Sequence, residues 1–196
     1  MWLDAPSLGN LALDFLHTLR RSRGGTTDLV RTPETMAAWL LTYAGAAASR
    51  LHEPLRPPDG RLLLDEAQRL RRDVGGLVAT YAGTGSLDPG AALGINRVLD
   101  AYRRSTLLVA EGGRPALAER MHGGSSLMPL GPIAEAVARL VCTVGPDRIR
   151  SCASDRCKAW FVDTSRGGRR RWCSMATCGN RQKASTHRSR RSRTRA

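Results

Sequence analysis

Lysine is nearly absent from this chain. Lys158 and Lys183 are the only two, set against 29 arginines. Arginine pairs bidentately with phosphates and guanine edges. Here, however, arginine also fills the first part of the chain alongside abundant alanine and glycine, so the bias carries little functional weight. Long hydrophobic runs are missing too: no stretch approaches 18 uninterrupted apolar residues, which excludes a helical membrane span. The N-terminus lacks a basic region followed by an apolar run, since Asp4 and Asp14 interrupt its apolar residues. No secretion signal is therefore expected, and the expected location is the cytoplasm. There is no internal repeat.

Acidic residues are scarce at one end only. Residues 1–150 carry 18 Lys/Arg against 15 Asp/Glu, whereas residues 151–196 carry 13 against 2. The formal charge of +14 therefore sits on a nearly neutral body with a strongly basic end. That polarity favours a polyanionic partner; the plainer alternative is a solubilising tail. With 196 residues, 41% of them apolar, the chain has room for one ordinary domain and a small one.

Five cysteines are present, and four are grouped: Cys152, Cys157, Cys173 and Cys178, spaced C-x4-C-x15-C-x4-C. An odd count without a secretion signal favours metal ligation over a disulfide framework. Two short knuckles separated by room for a β-hairpin can present four thiolates tetrahedrally to one Zn2+. Such a closed site has no open position, so the metal is structural. It also supplies folding energy to a unit too small for much of a core beyond Trp160, Phe161, Val162 and Trp172. Free thiols, a redox pair and an iron–sulfur cluster are the alternatives. Cys142 falls in the apolar pattern of Ile133, Val137, Leu140 and Val141 and is expected to be a buried helix thiol.

The rest of the chain reads mostly as helix. Leu8, Leu11, Phe15 and Leu19 recur at helical spacing over Leu8–Arg20, with Ser7 as cap. Arg21–Thr27 reads as a polar loop. Thr32-Pro33-Glu34 starts a second helix that runs to about Ala44. Pro54 to Gly60 breaks the chain, Leu62–Tyr81 reads as a long helix interrupted by Gly75 and Gly76, and Gly83–Gly90 reads as a turn. Leu93–Tyr102 reads as a helix, Ser105–Ala110 as a strand, Leu117–Met121 as helical or irregular, and Ile133–Cys142 as a helix. In the basic end, Trp160–Asp163 and Arg170–Trp172 read as the paired strands of the finger, and Asn180 to about Arg188 as a short helix.

The expected fold is a mainly α N-terminal domain with a small β-hairpin, followed by a small C-terminal four-cysteine zinc finger made of a β-hairpin and a short helix. The divisions are 1–128 for the helical domain, 129–144 for a connecting helix, 145–187 for the finger and 188–196 for a basic flexible tail.

Candidate nucleic-acid contacts are Arg166, Arg169, Arg170, Arg171, Asn180, Arg181, Gln182, Lys183, Arg188, Arg190 and Arg191. Phosphate contacts position a protein without reading sequence. If the helix after Cys178 enters a groove, Asn180 and Gln182 suit adenine and Arg181 suits guanine. The alternatives are a local capping role for Asn180, a salt bridge from Arg181 to the first domain, and core packing rather than base stacking for Trp160 and Trp172.

The run Cys173-Ser-Met-Ala-Thr-Cys178-Gly179-Asn180-Arg181-Gln-Lys183, preceded by Phe161-Val162-Asp163, Ser165 and Arg170-Arg171-Trp172, resembles the CGNR zinc-finger family. Leu13-Asp14-Phe15-Leu16-His17-Thr18, Thr32-Pro33-Glu34 and Ala38-Trp39-Leu40 resemble the ABATE domain that usually precedes that finger. The family commonly has Asn where this chain has His17. The resemblance covers nearly all of the chain. It implies that Cys152, Cys157, Cys173 and Cys178 are the zinc ligands and that the protein is a bacterial, stress-related transcriptional regulator.

Three functions compete. The first is a DNA-binding regulator, not an enzyme, with a helical sensing or homodimerisation domain and duplex DNA as partner. The second is a small-molecule-binding protein or enzyme with the finger as scaffold. Its candidate pocket residues are Asp14, His17, Arg20 and Trp39, and Asp28 and His52 are further available polar groups. No nucleophile–base–orienter set can be assembled from them. The third is an RNA- or protein-binding module.

Overall fold

The structure, a computed structural model, describes residues 8–22, 25–43, 59–122 and 125–185. Ser7, Ala44, the break before Asp59, His52, Arg188, Arg190 and Arg191 lie outside the described residues.

Helix α1 spans Leu11–Leu16. It is shorter than its apolar periodicity suggests, because the side chain of Asn10 caps it by accepting from Ala12 N at 2.9 Å. After α1 the chain does not loop out. Strand β1 (Leu19–Ser22) pairs antiparallel with β2 (Gly25–Asp28). The expected helix through Arg20 and loop over Arg21–Thr27 are corrected accordingly. Helix α2 (Pro33–Tyr43) begins as read, with Thr32 Oγ1 accepting from Thr35 N at 3.3 Å.

Helix α3 (Asp59–Thr84) is the longest element, at 26 residues, and extends about 39 Å at 1.5 Å per residue. It continues through Gly75 and Gly76. Helix α4 (Pro89–Ala101) starts earlier than its apolar pattern because Asp88 Oδ1 caps Ala91 N at 2.8 Å and Pro89 occupies the first turn. The linking turn is correspondingly shorter than Gly83–Gly90.

Strands β3 (Arg103–Glu111) and β4 (Arg114–His122) form a hairpin in register from Arg103↔His122 to Glu111↔Arg114. Leu117–Met121 is therefore strand rather than helical or irregular. Its helix-favouring Ala and Glu are overridden by Gly112 and Gly113, whose φ values of +56° and +79° make the tight two-residue turn. Helix α5 (Gly131–Thr143) packs against α1 and α4 through Ile133, Ala134, Val137 and Leu140. Cys142 is exposed, contrary to expectation. It sits two residues, about 200° of helical rotation, beyond Leu140 and so turns away from that stripe.

A short turn, Pro146–Arg148, leads into β5 (Ile149–Ser151), which pairs antiparallel with β6 (Trp160–Val162). The finger's hairpin is thus β5 with β6, flanking the first knuckle, and not β6 with Arg170–Trp172. The reason lies in Asp163. Its buried carboxylate accepts from Ser165 N (2.9 Å), Ser165 Oγ (2.6 Å) and Arg170 N (2.8 Å), folding 164–169 into a loop instead of a strand return. A π-helical turn, Met175–Gly179, follows, and residues 180–185 are helical.

One apolar core joins both halves. Phe15, Trp39, Leu64, Leu70 and Ile133 belong to the same buried cluster as Ile149, Phe161, Cys152 and Cys178. Val162 N donates to Leu8 O at 3.2 Å, stitching the finger to the start of the helical domain. No helix among the described residues is long and apolar enough to cross a membrane.

Candidate metal centre and basic surface

The first knuckle is a tight turn after β5. Cys157 N and Lys158 N both donate to Ser154 O, at 2.9 and 3.2 Å, and Cys152 N donates to Ala159 O at 2.8 Å. Lys158 takes φ +54°, the one non-glycine residue at positive φ among those described. The second knuckle is the π-helical turn, where Ser174 caps Thr177 N at 3.3 Å. Gly179 is packed under Met175, whose sulfur a Cβ would strike. Arg170 braces this knuckle from within: its Nε donates to Trp172 O at 2.9 Å, its NH2 donates to Cys173 O, and its guanidinium lies 5.1 Å from the Phe161 ring centroid.

These turns bring the sulfurs of Cys152, Cys157, Cys173 and Cys178 within 4.8 Å of one another. Cys157–Cys173 measures 3.6 Å and Cys173–Cys178 measures 3.7 Å, far beyond a disulfide bond of about 2.05 Å. Three of the four cysteines are buried and Cys157 is half-buried.

The sulfurs also tune one another. The hydrogen bond between the Cys157 and Cys173 sulfurs, with help from His17, outweighs burial and holds the Cys157 thiol down to about 3. Cys173 is pushed well up by that same hydrogen bond and by burial. Burial, then the Cys157 thiolate, raises Cys178. One thiolate therefore forms readily while further ones are opposed by like charge. A divalent cation at the centre relieves that repulsion, so the donor set fits a soft metal ion.

Around this centre the basic residues separate into two kinds. Arg166, Arg169 and Arg171 are exposed, and Arg171 stacks on Trp172 at 5.2 Å. Asn180, Arg181, Gln182 and Lys183 are exposed on the helix leaving the second knuckle. Arg181 makes no ion pair among the described residues. Arg170 is committed to the interior, as described above. Trp160 and Trp172 are half-buried against the core rather than splayed out for stacking.

Of the four residues expected to form a ligand pocket, Asp14 and Arg20 lie close enough to Tyr43 to act on its hydroxyl, and Trp39 stacks on that ring. Trp39 is buried in the core, 5.1 Å from the rings of both Phe15 and Tyr43. Asp14 accepts from Leu8 N at 2.7 Å. Arg20 Nε is buried without a hydrogen-bond partner among the described residues. Of the four, only His17 borders a cleft of about 810 Å3, and its Nε2 lies 3.9 Å from Cys157 Sγ. Asp28 is not an available acid. It receives Arg71 through both oxygens, at 2.8 and 2.5 Å, and Arg71 also donates to Thr18 Oγ1 at 2.8 Å. Sequence reasoning missed Arg71 because nothing marks one arginine among 29.

The fold and site define a helical domain joined through a shared core to a four-cysteine finger. The CGNR zinc finger family model matches residues 148–191. The ABATE family model, described as "Putative stress-induced transcription regulator", matches residues 9–144. The chain belongs to the ABATE family and carries the ABATE unit first and the CGNR zinc finger after it. No curated protein matches it.

Proposed function

We propose that this protein is a DNA-binding transcriptional regulator whose finger is held by one structural zinc ion. The observation that carries the reading is the exposed run Asn180–Lys183 leaving a closed four-sulfur centre. Zinc suits that centre: tetrahedral Zn–S bonds of about 2.3 Å give sulfur–sulfur edges of about 3.8 Å, close to the 3.6 and 3.7 Å measured. With all four positions taken by protein, the metal orders the fold and performs no chemistry. Reduced thiolates also suit a cytoplasmic protein.

Arg166, Arg169, Arg171 and Lys183 are assigned to phosphates, and Asn180, Arg181 and Gln182 to base edges. One finger makes a small interface, so a homodimer on a symmetric site is part of this reading.

The test is selection of genomic duplex fragments by zinc-loaded protein, beside Arg181→Ala and a chain ending at Thr186. Selective enrichment that disappears with Arg181→Ala supports duplex readout by the finger. Uniform weak binding lost only with the tail contradicts it and turns attention to RNA or protein partners.

A further inference from the structure

We propose that the cleft between α3 and the first knuckle is a binding site for a small organic carboxylate with an apolar body. The cleft is not the metal's own space, because Cys157 alone of the four cysteines borders it. Its walls come from both units: Leu16 at the end of α1 with His17 and Leu19 after it, one face of α3, and Lys158–Trp160 of the finger.

Two features of the cleft bear on what it can hold. The first is the pair Gly75 and Gly76 in mid-helix, where glycine weakens a helix. A Cβ on Gly75 would meet Leu16 only at an ordinary 3.6 Å, and one on Gly76 would meet nothing within 4 Å. Neither is needed for close packing, and both leave α3 bare where it floors the cleft. The second is Lys158, held at φ +54°, a conformation glycine adopts without strain. Lys158 borders the cleft with its ammonium paired to Asp155 outside the lining.

The charges decide the ligand class. Asp28 and Arg71 cancel one another. That leaves two cations, Arg72, which makes no ion pair among the described residues, and Lys158, whose exposed partner Asp155 lies at 3.3 Å, beside the Cys157 sulfur, whose negative charge a bound metal ion offsets. Such exposed pairs are weak and exchangeable. Along α3, Gln68 and Arg72 make the polar end. Gly75, Gly76 and Ala79 make the bare end, the last of these about 10 Å from Arg72 at 1.5 Å per residue. An anionic head fits the first end and an apolar body the second, against Leu16 and Trp160. An occupant touches both units and so fixes the finger on the helical domain, whether or not the finger binds DNA.

The experiment is calorimetric titration of the zinc-loaded full chain with 2-naphthoate, octanoate and the neutral 2-naphthylmethanol. It is repeated on Gly76→Leu, Lys158→Gly and Arg72→Gln, with thermal melting of each. The expected result is saturable one-to-one binding of the carboxylates, at least ten-fold tighter than the alcohol. Gly76→Leu abolishes it while melting at or above the parent temperature. Lys158→Gly and Arg72→Gln weaken the carboxylates several-fold and leave the alcohol unchanged. Bound carboxylate slows hydrogen exchange at Lys158–Trp160. Absence of saturable carboxylate binding, equal binding of the alcohol, or full binding by both Gly76→Leu and Lys158→Gly overturns the proposal.

Discussion

His17, at the end of α1, places its Nε2 3.9 Å from Cys157 Sγ, 140 positions further along the chain. The helical domain thus touches the half-buried cysteine of the metal centre. Donors around a ligating atom hold its orientation, and their loss commonly weakens metal binding by about ten-fold or more. We expect His17→Ala to speed transfer of zinc to a colorimetric chelator by about ten-fold while leaving one zinc per chain. His17→Asn, whose amide also donates, should fall between. A transfer rate unchanged in His17→Ala would show that the contact is incidental.

Arg71 and Asp28 clamp the β1–β2 hairpin onto α3. Arg71 is 8% exposed and Asp28 is 20% exposed. Removing one member strands the other's charge in a poorly solvated place, which costs about 3 kcal/mol. Asp28→Ala should therefore lower unfolding free energy by about 3 kcal/mol, measured with urea, and Asp28→Ala with Arg71→Leu should recover much of it. A loss in the double variant equal to the sum of the single losses would argue against a coupled pair.

The buried Asp163 carboxyl gives the finger an acid dependence. Burial works against its ionised form. The hydrogen bonds from Ser165 and Arg170 and the charge of Arg150 outweigh it and hold the carboxyl below its ordinary range. A depressed acid contributes stability fully above the unfolded value of about 3.9 and loses it as pH falls through the folded value. Thiolate protonation releases metal in the same direction, so the informative quantity is the difference between parent and Asp163→Asn. That difference should be about 2 kcal/mol at pH 7 and shrink as pH falls below about 4. A pH-independent difference would remove the carboxylate's charge from the explanation.

Gly131 opens α5 directly beneath the ring of Tyr102, which a Cβ would penetrate. Tyr102 closes α4, and Arg104 lies 5.2 Å from its ring centroid. The ring is held and cannot easily yield. Gly131→Ala should cost about 2 kcal/mol, seen as a lowered melting temperature, with zinc content unchanged.

The cysteine quartet was legible because ligand chemistry fixes residue type and spacing. Helices α2 through α5 were legible in outline because each carries an apolar stripe. What escaped were pairings set by distant contacts. Strand β6 chose β5 over 170–172 because Asp163 folds the intervening loop, and β4 followed its turn rather than its Ala and Glu. The β1–β2 hairpin had a signal in Gly24-Gly25 before Thr26 and Thr27, but helical periodicity in Leu16 and Leu19 masked it. Of the four pocket residues, only His17 borders the cleft. Asp14, Arg20 and Trp39 sit on or near α1 and α2, whereas the cleft depends on α3 meeting the finger, a relation no local pattern encodes.

Binding of one selected duplex across a salt series, for the parent and for Arg181→Ala and Lys183→Ala, tests the central claim most directly. A finger that reads bases through Arg181 predicts a steep salt dependence in the parent. Arg181→Ala then loses about 1–3 kcal/mol on the selected site alone, with little change of slope. Lys183→Ala should weaken all duplexes alike and reduce the slope by about 1. A zinc-loaded, folded protein whose duplex binding is absent, independent of salt, or indifferent to Arg181 would contradict the account.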